Sequence, residues 1–276
     1  SRRGESMARA ALYRMGVDFD TRESIAALVR YHQDPFFLID RPDALRRAIT
    51  IAERVRGDLL AVLAEADMRG RVCEDAARPL DNVALYRAHC DEHGLTRAPW
   101  SFANATSRYE FFRREGRDPG YTAWEDGDAF EVVLMSGLPG AGKDTWVREH
   151  LTAWPVISLD ALREALDAEA TGDQGAVVMA AKERARTLLR ARTPFVWNAT
   201  NITRQRRAEL VALFTDYGAR VRIVYVEPAW ATLRAQNRAR RERRVPWEVI
   251  ERMVDRWEPP DTTEAHALER HVASPA

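Results

Sequence analysis

Lysine is almost missing from this 276-residue chain: Lys143 and Lys182 stand against 40 arginines. A lysine kept in such a background marks a position where a compact, flexible ammonium suits better than a planar guanidinium. Cysteine is equally scarce. Cys73 and Cys90 form no Cys-x-x-Cys pair and suit a reducing compartment. No apolar run approaches the ~18 residues that a bilayer span needs, and the first residues carry no signal-peptide pattern, so no membrane partner and a cytoplasmic location are the default expectations. Net charge is absent too, because 42 basic residues cancel 42 acidic ones and leave no overall field favouring a polyanion.

What is present is enough apolar residue, 46% of the chain, for a core in each of about two domains at a loose ~150 residues per domain. The charge is also uneven: residues 1–130 carry 20 basic against 22 acidic residues, and 131–276 carry 22 against 20. Six arginines between Arg234 and Arg244 hold the surplus. The chain starts at Ser1 instead of Met, which reads as a fragment of a longer protein.

Up to about residue 94 apolar residues recur at helical spacing, as in Ile25, Leu28 and Val29 or Leu45, Ile49 and Ala52, with glycines at plausible helix ends. This predicts an all-α domain of about five helices over 1–94. Residues 95–130 change character, with Pro99, Gly116 and Asp118-Pro119-Gly120, and read as an irregular connector with one helix near 106–114. From 131 to 276 short apolar runs, Val132–Met135, Val156–Ile157, Phe195–Trp197 and Val221–Val226, alternate with helical stretches over 142–152, 160–168, 174–192, 203–217 and 229–256. Strands interleaved with helices predict an α/β domain with a parallel sheet flanked by helices.

Directly after the first of these strands comes Gly137-Leu138-Pro139-Gly140-Ala141-Gly142-Lys143-Asp144-Thr145. A glycine-rich turn between a strand and a helix exposes successive N–H groups and the positive end of the helix dipole, which is what a nucleotide triphosphate requires. All nine residues are candidate nucleotide contacts, with Lys143 on the β- and γ-phosphates. The usual loop places Ser or Thr after the lysine to contact Mg²⁺; here Asp144 stands there and the hydroxyl comes one later. Asp144 is therefore the Mg²⁺ candidate, with a charge cap at the helix N-terminus as its alternative.

After the second strand, Asp160 and Arg163 share a helix face, a carboxylate able to accept a hydroxyl proton beside a guanidinium able to grip a phosphate. With these residues in hand, the chain resembles the P-loop polynucleotide 5′-hydroxyl kinases. The resemblance implies Asp160 as general base, Arg163 as the clamp on the acceptor phosphate, and Thr200, Asn201 and Arg206 as further acceptor contacts. It implies a lid before Val245-Pro246 in which Arg240 matches the family pattern and Arg238 or Arg234 replaces a missing arginine; Arg238 and Arg240 are the catalytic candidates. The related Asp-Ala-Thr-Asn element here begins with Asn198, to which no metal role is assigned. ATP or GTP would be the donor with Mg²⁺, the acceptor a 5′-OH end of RNA or DNA, and a nucleic-acid ligase a partner.

Residues 1–94 resemble the latter half of an HD-superfamily phosphohydrolase domain, Asp67 matching the late metal-binding Asp. The family's first His and His-Asp doublet have no counterpart, so no phosphatase activity is expected. His89, Glu92 and His93 formally match a zinc-peptidase pattern but read as a surface helix end, and His150, His266 and His271 as surface residues. Two other readings stay open: a small-molecule or toxin-type kinase, and a nucleotide-binding module that docks a repair partner.

Overall fold

The computed structural model describes residues 1–72, 75, 77–125, 127–165, 174–240 and 244–273. The chain divides into two compact units, Ser1–Ala123 and Trp124–Ala276. In the first, α1 (Arg2–Arg14), α2 (Phe19–Tyr31), α3 (Ala44–Ala52), α4 (Gly57–Arg69) and α5 (Ala77–Glu92) are followed by α6 (Ala105–Arg113). Ser1, Asp18 and Asn104 cap α1, α2 and α6 by accepting from the backbone N–H of Gly4, Thr21 and Ser107. The core gathers Tyr31, Phe36, Leu38, Ile49, Leu60, Val83 and Tyr86. Phe111 belongs to that core, and Trp100, Phe102 and Phe112 pack against it, so 95–123, read from the sequence as connector, lies within the helical unit. This unit also holds buried charge. Arg9 bonds Glu5 and Glu23, and Arg22 bonds Glu23. Burial alone would raise the Glu5 carboxyl, but the guanidinium groups of Arg54 and Arg9 outweigh it and hold Glu5 below the usual carboxylate range.

The second unit is a five-stranded sheet of order β2-β3-β1-β4-β5, parallel throughout. Its elements run β1 (Glu131–Ser136), α7 (Lys143–His150), β2 (Val156–Ser158), α8 (Leu159–Ala165), α9 (Gln174–Arg190), β3 (Phe195–Asn198), α10 (Arg204–Thr215), β4 (Arg220–Glu227), α11 (Trp230–Ala239), α12 (Trp247–Val254) and β5 (Ala267–Val272). The apolar runs become β1 to β4, as a sheet covered on both faces requires. β5 was not foreseen. Among the described residues it pairs only with β4, and Arg222 of β4 bonds Glu131 and Glu269 on the strands to either side.

The stretch 229–256, expected as one helix, is two. Pro246 lacks the N–H that a continuing helix needs and instead precedes the first turn of α12. His266 is not on the surface: it is buried and its Nδ1 accepts from Val221 N–H at 3.2 Å. No described helix is long and apolar enough to cross a membrane.

Candidate active site

The chain leaves β1 at the centre of the sheet and returns to β3 on one side of it and β4 on the other. Such a reversal opens a crevice at the carboxyl ends of the strands, where ligands bind in open α/β sheets. The glycine loop lies there. Gly137 has φ +153°, and a Cβ on it would stand 2.5 Å from the Val226 carbonyl oxygen, so only glycine lets the loop pass this close to β4. Gly142, at φ +102°, turns the backbone into α7.

Lys143 opens α7 and is 8% exposed. Its Nζ donates to the Gly137 and Leu138 carbonyls, both at 3.0 Å, curling back over the loop. Burial lowers its pKa from 10.5 to about 8, against the opposing charges of Asp144 and Asp160, with Arg240 adding to the lowering. Residues from the loop, α8 and the end of α11 thus bear on one ammonium.

Asp144 Oδ1 accepts from Asn198 Nδ2 at 2.6 Å, and its Oδ2 lies 4.0 Å from Arg240. The carboxylate is otherwise exposed, a hard oxygen donor of the kind Mg²⁺ takes, so the residues present fit that ion. The Thr145 Oγ1, one residue on, accepts from Arg148 on the exposed side of α7. Asp160, exposed, accepts from Arg163 at 2.6 Å.

Beside Asp160 a cleft of about 370 Å³ is lined by Leu159, Trp197, Thr200, Arg206, Met253 and Arg256 among others. Trp197 is buried and its indole N–H has no hydrogen-bond partner among the described residues. Arg206 and Arg256 are exposed, two cations over a largely apolar wall.

The Thr200-Asn201 element has a second duty. Gly137 N–H donates to the Thr200 carbonyl at 2.9 Å, and the Asn201 side chain donates to the Met135 carbonyl at 2.7 Å. The Asn201 carbonyl accepts from Ser136 and from buried Arg207, whose guanidinium also grips Glu264. Asn201 lines the cleft yet spends its amide on holding β1, from which the loop springs. Arg238 is exposed on α11 and Arg234 lies over the Trp247 ring, whereas Arg240 reaches the loop. Of the remaining lid arginines, Arg241 and Arg243 lie outside the described residues.

In the helical unit Asp67 pairs with Arg71, just past the C-terminal end of α4, and joins no group of three metal-ligating side chains among the described residues. The one such group there is His89, Glu92 and His93, with ligand atoms within 4.8 Å of one another. Sequence reading assigned Asn198 no metal role and missed Arg256 and Met253. Nothing local signals the contact of Asn198 with Asp144 or the cleft residues, because β3 must first be placed beside β1, and α12 beside β3.

Fold and loop together define a P-loop nucleotide-binding unit of kinase-like fold. Residues 132–260 match the protein family described as AAA domain. Among solved structures, a crystal structure of a candidate kinase from Chloroflexus aurantiacus is similar at 17% identity and a TM-score of 0.45, covering 53% of this chain and 87% of that one. No curated protein matches the chain.

Proposed function

We propose that the P-loop unit is a nucleoside-triphosphate-dependent kinase that phosphorylates the 5′-hydroxyl end of a nucleic acid, with ATP or GTP as donor. The observation that carries this reading is the meeting of Asp144, Asp160 and Arg240 around Lys143, next to a cleft edged by Thr200, Arg206 and Arg256. Asp160 takes the proton of the 5′-hydroxyl as its oxygen bonds to the γ-phosphorus, and the bond from that phosphorus to the bridging oxygen breaks to release the nucleoside diphosphate. Arg163, freed from Asp160, holds the acceptor's first phosphate. Lys143 and Arg240 meet the charge that develops on the transferred group. Mg²⁺ on Asp144 would neutralise the β- and γ-phosphate oxygens. A 5′-phosphate end is what a ligase consumes, so the reaction prepares ends for joining. The HD-like resemblance of residues 1–94 gains no support from Asp67, and no phosphatase step is assigned to it.

Incubation with labelled ATP or GTP and a 5′-OH oligonucleotide tests the reading: label should pass to the 5′ end, and no transfer with any divalent metal overturns it. The apolar wall of Trp197 and Met253 also fits a small acceptor. Competition separates the two readings, because an oligonucleotide substrate must block phosphorylation of any small acceptor. Nucleotide binding without turnover favours the docking module instead.

A further inference from the structure

Loops of this kind place a Ser or Thr hydroxyl directly after the lysine and a carboxylate at the end of a neighbouring strand, and the two hold the Mg²⁺ of the nucleotide between them. In this chain both positions are occupied by the wrong partner. The carboxylate, Asp144, follows the lysine, and a neutral amide, Asn198, ends β3, the strand hydrogen-bonded to β1. The two side chains touch, Asn198 Nδ2 donating to Asp144 Oδ1 at 2.6 Å.

We propose that the metal dyad is exchanged: Asp144 is the anionic ligand of the nucleotide's Mg²⁺, and Asn198 is the positioning residue that fixes its carboxylate. This rests on the nucleotide-binding part of the reading above but not on the acceptor. Three observations support it. The contact consumes only Oδ1 of Asp144, whose carboxylate is otherwise exposed, with Oδ2 at the long distance of 4.0 Å from Arg240. Thr145, the next residue in sequence, is exposed on α7 with its Oγ1 accepting from Arg148. Asn198 is 8% exposed, so an aspartate there would press a second, poorly solvated carboxylate against the first. One carboxylate per site is kept, and its place has moved from strand to loop.

The exchange is tested on the full chain by the affinity of a fluorescent nucleotide with and without Mg²⁺, and by Mn²⁺ binding followed by electron paramagnetic resonance. The native chain should bind nucleotide about tenfold or more tightly with Mg²⁺, since Asp144 repels a metal-free triphosphate. Asp144→Asn should bind metal-free nucleotide more tightly than the native chain and lose most of the Mg²⁺ dependence. Asn198→Asp alone should weaken metal-free binding and strengthen Mn²⁺ binding. The double variant Asp144→Thr/Asn198→Asp restores the usual order and should regain Mg²⁺ dependence to within about threefold of native. Thermal melts identify any variant that has not folded, and Asp144→Asn, which keeps size and a hydrogen-bonding oxygen, is the one on which the outcome turns. Native Mg²⁺ dependence in Asp144→Asn, or a double variant no better than Asp144→Thr alone, overturns the exchange. Phosphate transfer by the native chain alongside either result leaves the kinase reading standing, whereas the expected pattern without transfer to any end removes the acceptor and keeps the dyad.

Discussion

Two carboxylate–guanidinium pairs in the P-loop unit have nearly the same length and opposite surroundings. Asp160 and Arg163 meet at 2.6 Å with 59% and 25% of their side chains exposed; Arg207 and Glu264 meet at 2.7 Å with 0% and 3%. Arg207 also donates to the Asn201 and Glu258 carbonyls, so the buried fork has several partners at once and locks the loop after β3 to residues 258–264. A pair so enclosed cannot change partner without leaving a charge unsolvated. The exposed pair can. Its Coulomb energy is small in water, and in the proposed reaction a phosphate entering beside Arg163 would release Asp160 to accept a proton. Exposure is what that proposed chemistry requires of the weaker pair.

The largest effect should come from breaking the exposed pair on its acidic side. Asp160→Ala is expected to lower kcat by roughly 10²–10⁴-fold, the usual contribution of a positioned base. Nucleotide affinity and the melting temperature should stay near native. A parallel loss of nucleotide binding would give Asp160 a structural role and erase the contrast with Glu264.

Breaking the buried pair should act on stability. Arg207→Ala is expected to cost about 3–5 kcal/mol in urea unfolding, the range for a buried charge left without its partner. Arg207→Met with Glu264→Leu should recover only part of this, because the Glu258 carbonyl then loses its Arg207 donor and the Asn201 carbonyl keeps only Ser136. Full recovery would mean that those two bonds contribute nothing.

A subtler change keeps the charge and removes the fork. Arg163→Lys should raise the acceptor KM by about tenfold with kcat and the nucleotide KM little altered, since an ammonium cannot hold a phosphate through two parallel bonds. A change confined to the nucleotide KM would place Arg163 on the donor instead.

The difference between these pairs was invisible in the sequence, where both are an acid and a base near helical segments. Legible features were those set by local order. Short runs rich in apolar residues gave β1, β3 and β4, and the glycines before Lys143 gave the loop. β5 escaped because Ala267–Val272 carries Glu269, Arg270 and His271, a polar edge strand with no alternating pattern. His266 escaped for the same reason. The split of 229–256 was signalled by Pro246 but overridden by helical spacing on either side. Asp144 and Asp160 could be named from motif position alone. The contact of Asn198 with Asp144 could not be read that way, because the two lie 54 residues apart in the chain and only the pairing of β1 with β3 brings them together.

Lys143 is a third arrangement and gives the smallest expected effect. It is buried like the Arg207 pair, though less completely, yet hydrogen-bonds two carbonyls and no carboxylate, and burial lowers its pKa to about 8. In the unfolded chain a lysine titrates near its ordinary value of about 10.4. Between these values the unfolded state binds more protons than the folded one, so stability should rise with pH over that window, and below pH 8 the two states bind alike. The rise should be missing in Lys143→Met, which is the comparison that isolates this residue from tyrosines and arginines titrating nearby. Triphosphate entering the loop reverses the balance, because its negative charge favours the ammonium. Binding at pH 8 should therefore take up about half a proton, read from calorimetry in buffers of different ionisation enthalpy. Uptake that persists in Lys143→Met would place the proton elsewhere, and the lysine would then be an ordinary cation closed over an empty loop.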